Sequence, residues 1–310
     1  MFNSVYFEIS GSCNAKCKYC QSGVNSLSKK GGRYVDLHEF KKSVNYMLNS
    51  KFISNNTVFG LYNWGEPYLH PEFKSIIRHL SDLQIRINLS TNASVPVLFE
   101  TNTDLKYLTI LRFSMPGFSQ NSYDKIHGFD FNKIKENILL ILENYRKCGF
   151  TGVAEINFHM YQFNLREIPE ALKFANENKL EIIIRSAHFN DYNQLIKYTK
   201  DEWTYSELKS ASKDLFLYEI EKRLEEYKKM GKDDYLCPQM NYLTIDEQCN
   251  VITCCLDSSV YKKIYDVNEV SEINSWRKKV AVCKECMELG LSYICHHPMR
   301  YDKFFKEDFA

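Results

Sequence analysis

The sequence predicts an α/β fold built on a parallel sheet, followed by a smaller part of different character. Over the first 190 residues, short segments rich in β-branched and aromatic residues alternate six times with amphipathic segments of helical period. Parallel strands need a crossover between them, usually a helix, so this alternation indicates a parallel sheet, either doubly wound or an incomplete barrel. In both arrangements the chemistry is expected at the carboxyl ends of the strands.

The predicted elements follow from local signals along the chain. Strands are expected at residues 5–10, 57–62, 85–90, 108–114, 153–161 and 180–185. Helices are expected at 37–48 after the capping residue Asp36, at 72–80 after Pro71, at 131–148 before Gly149, and at 165–178. We divide the chain into a barrel at 1–190, a mostly helical, charged linker at 191–234, and a small α+β domain at 235–310. In that domain a hairpin (242–245 and 251–254) precedes a helix at 270–279.

Composition and charge exclude several classes of protein. Of the 310 residues, 44% are hydrophobic and 25% are charged, which is typical of a globular protein. The 40 basic and 39 acidic side chains give a net charge of +1, so no basic field favours nucleic acid. No apolar run has the length of a membrane span, and the N-terminal residues lack the features of a secretory signal. We expect a cytoplasmic protein with no membrane or nucleic-acid partner.

Eleven cysteines form two groups, one near each end of the chain. Without an export signal, metal binding or catalysis is favoured over disulfides. Only Cys148 stands between the groups, and we interpret it as a small buried side chain.

The first cysteine group lies in "GSCNAKCKYCQSG", directly after the first predicted strand. Cys13, Cys17 and Cys20 have the spacing C-x3-C-x2-C. Iron–sulfur clusters are normally held by four thiolates, so three thiolates would leave one iron open to another ligand. A zinc ion held by three thiolates and a water is the alternative.

This motif, with Tyr19 just before the third cysteine, resembles the radical S-adenosylmethionine (SAM) superfamily. The resemblance implies a partial (β/α)6 TIM-like barrel over about residues 5–189. It also implies that the open iron of a [4Fe–4S] cluster chelates SAM. A reductant such as flavodoxin or ferredoxin would trigger cleavage of SAM to methionine and a 5′-deoxyadenosyl radical, which abstracts a hydrogen atom from the substrate.

Further motifs resemble the family in the expected order. "NWGEP" at 63–67 resembles its GGEP motif, with Trp64 in place of the first glycine; Gly65 would let the backbone approach the SAM amino group, with Glu66 beside it. "LSTNAS" ends the third strand where the family shows TNG. Polar residues follow the next two strands, including Asn164. The predicted cofactor-binding residues are Tyr19, Gly65, Glu66, Ser90, Asn92, Ser114 and Gln162.

The second cysteine group contains a possible four-thiolate site. Cys237, Cys254, Cys283 and Cys286 have the spacing C-x16-C-x28-C-x2-C, which by itself fits zinc or iron–sulfur. A hairpin, a helix and C-x2-C after such a barrel resemble the twitch domain, the shortened form of the SPASM domain. That resemblance implies one auxiliary [4Fe–4S] cluster. Cys295 would hint at the longer form, but a full second ligand set is missing.

Two further cysteines flank the ligand Cys254 in "CNVITCC". Cys249 occupies the hairpin position where the family has a glycine with positive φ. Either Asn250 takes the left-handed position or the thiol is useful, as the hydrogen donor of an epimerase, provided that Cys249 faces the barrel mouth. Cys255 is expected to point to the opposite face of an extended strand and to pack.

Four reactions remain open at this stage. We favour dehydrogenation of a small hydroxylated substrate, such as a sugar or aminocyclitol, through the auxiliary cluster. The alternatives are epimerisation with a cysteine hydrogen donor, maturation of a ribosomal peptide by epimerisation or crosslinking, and non-catalytic electron transfer. The last predicts two complete four-thiolate sites, which the first loop does not offer. General-base candidates near strand ends are Arg112, His159, Arg185 and His188.

Overall fold

In the computed structural model, which describes residues 1–22, 33–231, 234–297 and 300–301, the strands join in one sheet. In chain order they are β1 Ser4–Phe7, β2 Val58–Gly60, β3 Arg86–Thr91, β4 Leu108–Met115, β5 Val153–Met160, β6 Glu181–Ser186, β7 Tyr242–Ile245, β8 Asn250–Ile252 and β9 Val260–Lys263. All six strands predicted for the first part of the chain are present. So is the predicted hairpin, as β7 and β8.

The strand order decides between the two predicted arrangements. The sheet runs β6-β5-β4-β3-β2-β1-β7-β8-β9, with parallel neighbours from β6 to β7. A doubly wound sheet reverses its strand order at a switch point, whereas β1 to β6 follow one another without reversal. Because parallel crossovers are right-handed, uniform progression keeps the helices on one side, as in a partial barrel.

The hairpin extends the barrel sheet instead of forming a separate one. β7 pairs in parallel with β1, so that Val5 lies beside Leu243. β8 and β9 then continue the sheet in antiparallel order. The predicted domain boundary at residue 235 therefore does not coincide with a break in the sheet.

Helices connect the strands and cover one face of the sheet. They are α1 Leu37–Asn49, α2 Phe73–Asp82, α3 Gln120–Lys125, α4 Phe131–Lys147, α5 Ile168–Glu177, α6 Tyr192–Thr199, α7 Tyr205–Ala211, α8 Leu217–Met230, α9 Val270–Arg277, α10 Ala281–Glu288 and α11 Leu291–His296. Asp36 caps α1 as predicted, accepting hydrogen bonds from the amides of His38 and Glu39. The linker is helical, as α6 to α8. In the described part of the chain, no helix combines the length and apolar character needed to cross a membrane.

Alternation along the strands separates an apolar face from a polar one. In β4, Leu111, Phe113 and Met115 are buried in the main core, whereas Arg112 and Ser114 line a cavity on the other face. The same period-two pattern holds in β5 and β6. The sheet therefore presents its polar side chains to the inside of the barrel.

The hairpin region corrects two predictions. The turn has not shifted, because Cys249 itself adopts the left-handed conformation with φ of 63°. β8 ends at Ile252, so Cys254 and Cys255 do not lie on an extended strand and the argument from alternating faces does not apply to them. The sequence reading also missed β9 and the helices α10 and α11, which surround the second cysteine group.

Candidate active site

The first cysteine loop begins where β1 ends and closes one side of a cavity. Cys13, Cys17 and Cys20 all line this cavity, which has a volume of about 340 Å³. The amide of Cys20 donates to the carbonyl of Cys17 at 3.2 Å, which turns the loop back on itself. The three thiols are thus brought together beside the carboxyl ends of the strands, where a parallel barrel places its chemistry.

Gly65 holds the cysteine loop by close backbone contact. A Cβ on Gly65 would lie 1.7 Å from the carbonyl oxygen of Ser10. The next amide, of Glu66, donates to the carbonyl of Ser12 at 2.7 Å. The glycine was expected to make room for the SAM amino group, but here it makes room for the loop that carries the cysteines.

Two buried carboxylates fix the backbone of this motif. The Glu8 carboxylate accepts hydrogen bonds from the amides of Trp64 and Gly65. The Glu66 carboxylate accepts from Tyr68 N at 3.1 Å, from Thr91 Oγ1 at 2.7 Å and from Asn92 N at 2.7 Å. Burial raises the pKa of Glu66 to about 7 despite these donors. Glu66 thereby joins the "NWGEP" loop to the end of β3.

Most predicted cofactor-binding residues meet in the cavity, but one does not. Those that line it are Tyr19, Gly65, Glu66, Ser90, Asn92 and Ser114. Asn92 Nδ2 lies 3.9 Å from the sulfur of Cys13. Gln162 is placed apart from the cavity, because its side-chain amide donates to the carbonyls of Ser212 and Leu215, each at 2.7 Å. The cofactor roles of these residues stay predictions.

Basic side chains from β4, β5 and β6 lie on the polar face of the sheet. Arg112 forms an ion pair with Glu155, its register neighbour on β5, and donates to the hydroxyl of Tyr62 at 3.1 Å. His159 and Arg185 are register neighbours on β5 and β6, and both line the cavity. All four general-base candidates, His188 included, line the cavity.

The buried histidines of the cavity are neutral near pH 7. Burial, with His188, Arg185 and Arg112 nearby, lowers the pKa of His159 to about 4. Burial, together with His159, lowers the pKa of His127 to about 3. The pKa of His188 is also lowered by burial. Each can therefore accept a proton from a reacting group.

The second cysteine group also converges. Burial raises the pKa of the Cys286 thiol, and the charges of Cys254, Cys237 and Cys283 raise it further. Burial also raises the pKa of Cys254. Cys283 and Cys286 are three residues apart on α10, which puts both thiols on one helix face. The hydroxyl of Ser292 donates to the sulfur of Cys237 at 3.0 Å.

A buried arginine stands beside this group. Arg277 is 1% exposed and donates to the carbonyls of Gln239 at 2.6 Å and Tyr242 at 2.8 Å. Burial lowers the pKa of Arg277, and the charges of Cys254 and Cys283 offset only part of this effect. A buried charge needs a partner of opposite sign, and these thiols supply one only when they are ionised.

The remaining cysteines lie in different surroundings. Cys249 is 1% exposed in the hydrophobic core, beside Ser43 of α1. The condition for a hydrogen donor, that Cys249 faces the barrel mouth, is therefore not met. Cys255 lies near the second group, and its carbonyl accepts a hydrogen bond from Trp64 Nε1 at 2.6 Å. Cys295 lines the cavity.

Single metal ions and iron–sulfur clusters place different demands on the two cysteine groups. In the described ranges, no three His, Cys, Asp or Glu side chains are close enough to hold one metal ion. A tetrahedral zinc ion needs its sulfurs at about 2.3 Å from one centre. A [4Fe–4S] cluster attaches each thiolate to a different iron, so its ligands stand further apart. That the second cysteine group holds such a cluster stays a prediction.

The fold and the three-thiol loop define a class of enzyme that holds an iron–sulfur cluster with an open iron at the mouth of a partial barrel. The family model described as the Radical SAM superfamily matches residues 7–175. The chain belongs to this superfamily, and it binds SAM and a [4Fe–4S] cluster.

Solved structures are similar in fold at low sequence identity. SuiB of Streptococcus suis bound to S-adenosylmethionine is 14% identical with a TM-score of 0.58, over 99% of this chain and 74% of that chain. SuiB bound to the precursor peptide SuiA is 14% identical with a TM-score of 0.58, over 88% and 65%. Native anSMEcpe with bound AdoMet is 19% identical with a TM-score of 0.56, over 91% and 82%. The comparison with curated proteins gives no match.

Sequence reasoning missed three residues that organise the site. Asp214, in the linker, accepts hydrogen bonds from Lys18 at 2.7 Å and from the hydroxyl of Tyr19 at 2.8 Å, so the linker holds the cysteine loop. Glu8 lies between the apolar residues Phe7 and Ile9 in the first predicted strand. An acidic residue at such a position could have indicated a role in the site. Arg277 and Asp214 lie in ordinary charged helical segments, where nothing local distinguishes them.

Proposed function

We propose that this radical SAM enzyme oxidises a small hydroxylated substrate to a ketone, with the help of an auxiliary cluster. The observation that carries the proposal is that one cavity is lined both by the first cysteine group and by Cys295. Cys295 adjoins the second group, because the charges of Cys255 and Cys286 add to burial in raising its pKa. Oxidation of an alcohol removes two electrons, and a second redox centre beside the substrate cavity suits that reaction.

The proposed auxiliary ligands are Cys237, Cys254, Cys283 and Cys286, in a twitch-type domain at 235–310. When bound, SAM and its cluster supply the radical that takes a hydrogen atom from the substrate, and an auxiliary cluster supplies an acceptor for the second electron. A reductant such as flavodoxin or ferredoxin would deliver the priming electron. Arg277 places a buried positive charge beside three of these cysteines, Cys254, Cys283 and Cys237.

The chain's own residues bind the substrate and take its proton. His159 and His188 line the cavity as neutral imidazoles, so either can accept the proton that leaves the hydroxyl group. Ser90, Ser114 and Asn157 add polar groups that suit the hydroxyls of SAM or substrate. The polar lining of the cavity suits a hydroxylated molecule.

Epimerisation is the second candidate, and the position of one thiol favours it. Cys295 lines the cavity, whereas Cys249 lies in the core. A hydrogen donor must reach the substrate radical, so Cys295 replaces Cys249 as the proposed donor for this reaction.

The test combines iron analysis with product analysis. The protein is reconstituted anaerobically and incubated with SAM, dithionite and hydroxylated substrates in D2O. We expect about eight iron atoms per chain, from two [4Fe–4S] clusters, and a ketone product. The double variant Cys283→Ala/Cys286→Ala should keep about four iron atoms and SAM cleavage but lose the ketone.

Controls separate the alternatives. Cys148→Ala removes a buried thiol that lies against the carbonyls of Phe99 and Glu100, away from both groups, and should leave iron content unchanged. About four iron atoms in the wild type would refute the auxiliary cluster. Deuterium at carbon without a change of oxidation state, lost in Cys295→Ala, would establish epimerisation instead. Modified peptide as the only product would refute the small-substrate proposal.

A further inference from the structure

One side-chain nitrogen of an arginine in the cavity is unsatisfied. Arg185 is on β6, where Ile182 and Ile184 are buried in the main core and Arg185 lines the cavity on the other face. Its Nε is buried and has no hydrogen-bond partner among the described residues. Buried polar groups are normally satisfied, and an unpaired guanidinium nitrogen is costly. A bound molecule that accepts from Arg185 would remove this cost.

The acids near the cavity are already engaged. Among the described residues that line the cavity, Glu66 is the sole carboxylate. It already accepts hydrogen bonds from Tyr68 N, Thr91 Oγ1 and Asn92 N. Glu155 is paired with Arg112. Glu155 also acts on Arg185, but it is shared with Arg112, so positive charge is in excess there. SAM brings a carboxylate of its own, which would chelate the open iron, and the SAM affinity of Arg185→Gln distinguishes that carboxylate from a substrate anion.

The surroundings of Arg185 suit an oxyanion. His159 is its register neighbour, and Asn157 and His188 line the same cavity. Arginine presents several N–H donors in a planar fork that matches carboxylate and phosphate, and neutral histidines add further donors. A cationic substrate would be repelled by two arginines.

We propose that the substrate carries an anionic group, a carboxylate or a phosphate, which Arg185 binds. The inference rests on the proposed function and deepens it, since it favours hydroxylated acids or phosphate esters over aminocyclitols. It assigns Arg185 to substrate binding instead of proton transfer.

The test measures anion binding to the reconstituted protein saturated with SAM. Inorganic phosphate and acetate are titrated in separate calorimetric experiments. We expect binding of at least one anion, weakened about tenfold or more in Arg185→Gln, because a charge-assisted hydrogen bond is lost. Arg185→Lys keeps the charge and should bind more tightly than Arg185→Gln. The tighter of the two anions identifies the group.

A matched control and a second readout make the result decisive. Arg78, 58% exposed and outside the cavity, is changed to Gln and should bind both anions as the wild type does. The affinity for SAM and its reductive cleavage should be unchanged in Arg185→Gln, which also shows that the variant folds. Loss of SAM affinity in Arg185→Gln, equal anion affinities in Arg185→Gln and wild type, or no anion binding by the wild type would each overturn the proposal. Failure of SAM cleavage in the wild type would refute the proposed function while leaving anion binding measurable.

Discussion

At the scale of single residues, the site depends on contacts that leave no room for other side chains. Gly65 lies against the backbone of the loop that carries the first cysteine group, so a methyl group at this position would meet the carbonyl of Ser10. The "NWGEP" motif therefore acts on the cluster site through the loop that carries the cysteines. Its neighbour Glu66 acts in the same way, as a buried connection between the loop and β3.

Gly65→Ala tests this contact. A Cβ placed 1.7 Å from the Ser10 oxygen forces the loop to move, and we expect a loss of several kcal/mol in the free energy of unfolding and incomplete loading of the first cluster. Iron content and thermal unfolding measure both effects. Gly231→Ala is the control, because a Cβ there lies 3.8 Å from the nearest described atom, in Asp234, and only backbone strain of about 1–3 kcal/mol is expected at its positive φ. Normal iron content in Gly65→Ala would contradict the assigned role.

Glu66→Gln tests the buried carboxyl by its pH dependence. The pKa is raised by burial from 4.5 to about 7, so between these values the folded state keeps a proton that the unfolded chain has released. The stabilisation is complete below pH 4.5 and is lost as pH rises to about 7. The free energy of unfolding of the wild type, relative to Glu66→Gln, should fall by roughly 3 kcal/mol over this window. Parallel curves for the two proteins would refute the raised pKa.

At the scale of elements, helices and strands bring distant cysteines together. α10 presents Cys283 and Cys286 on one face, and α9 ends in Arg277, which donates to carbonyls of the segment that leads from Cys237 into β7. This arginine both docks α9 on the hairpin and places its charge beside the thiolates. Its two roles can be separated, because one depends on hydrogen bonds and the other on charge.

Arg277→Met and Arg277→Lys separate these roles. Both lose hydrogen bonds to carbonyls and should destabilise the protein by about 2–3 kcal/mol. Only Arg277→Met removes the charge, and a buried positive charge favours the more negative, reduced cluster. We therefore expect a lower reduction potential of the proposed auxiliary cluster in Arg277→Met than in Arg277→Lys, measured by an EPR-monitored titration. Equal potentials would limit Arg277 to docking.

At the scale of the whole molecule, one sheet carries both cysteine groups. β7 pairs with β1, and Trp64 Nε1 donates to the carbonyl of Cys255, so the part predicted as a separate domain is joined to the barrel by strand pairing and by the "NWGEP" loop. Continuous strand pairing makes unfolding cooperative. A rigid connection also keeps the two cysteine groups at fixed positions relative to the cavity.

Unfolding monitored at two places tests this continuity. Trp276 stacks on Tyr261 in the C-terminal part, and Trp203, in the linker, packs on Phe189 at the end of the barrel. In single-tryptophan variants that keep one or the other, the two fluorescence transitions in urea should have the same midpoint and coincide with the loss of circular dichroism. Separate midpoints would mean that the predicted domain at 235–310 unfolds independently. Trp64 is replaced by Phe in both variants, so its lost hydrogen bond affects them equally.

The features that could be predicted from the sequence are those set by residues close together in the chain. The six strands of the barrel and the capping of α1 by Asp36 follow from periodicity and short-range hydrogen bonds, which neighbouring residues fix. The front motif C-x3-C-x2-C was recognisable for the same reason, since three ligands for one cluster stand within eight residues. The hairpin was found, but its second strand ends at Ile252, because a turn follows in which Cys254 N donates to the carbonyl of Asp257 and Thr253 Oγ1 donates to the carboxylate of the same aspartate.

Local patterns in the sequence were sufficient to predict the parallel α/β core, the superfamily and the first cysteine loop. Other features became known only from the folded chain. They are the pairing of β7 with β1 and the positions of Gln162 and Cys249 away from the cavity. They also include the positions of Cys295 and Arg185 in the cavity and of Arg277 beside the second cysteine group. These facts depend on contacts between residues far apart in the chain. Such contacts are set by the packing of whole elements, and no local pattern of residues encodes them.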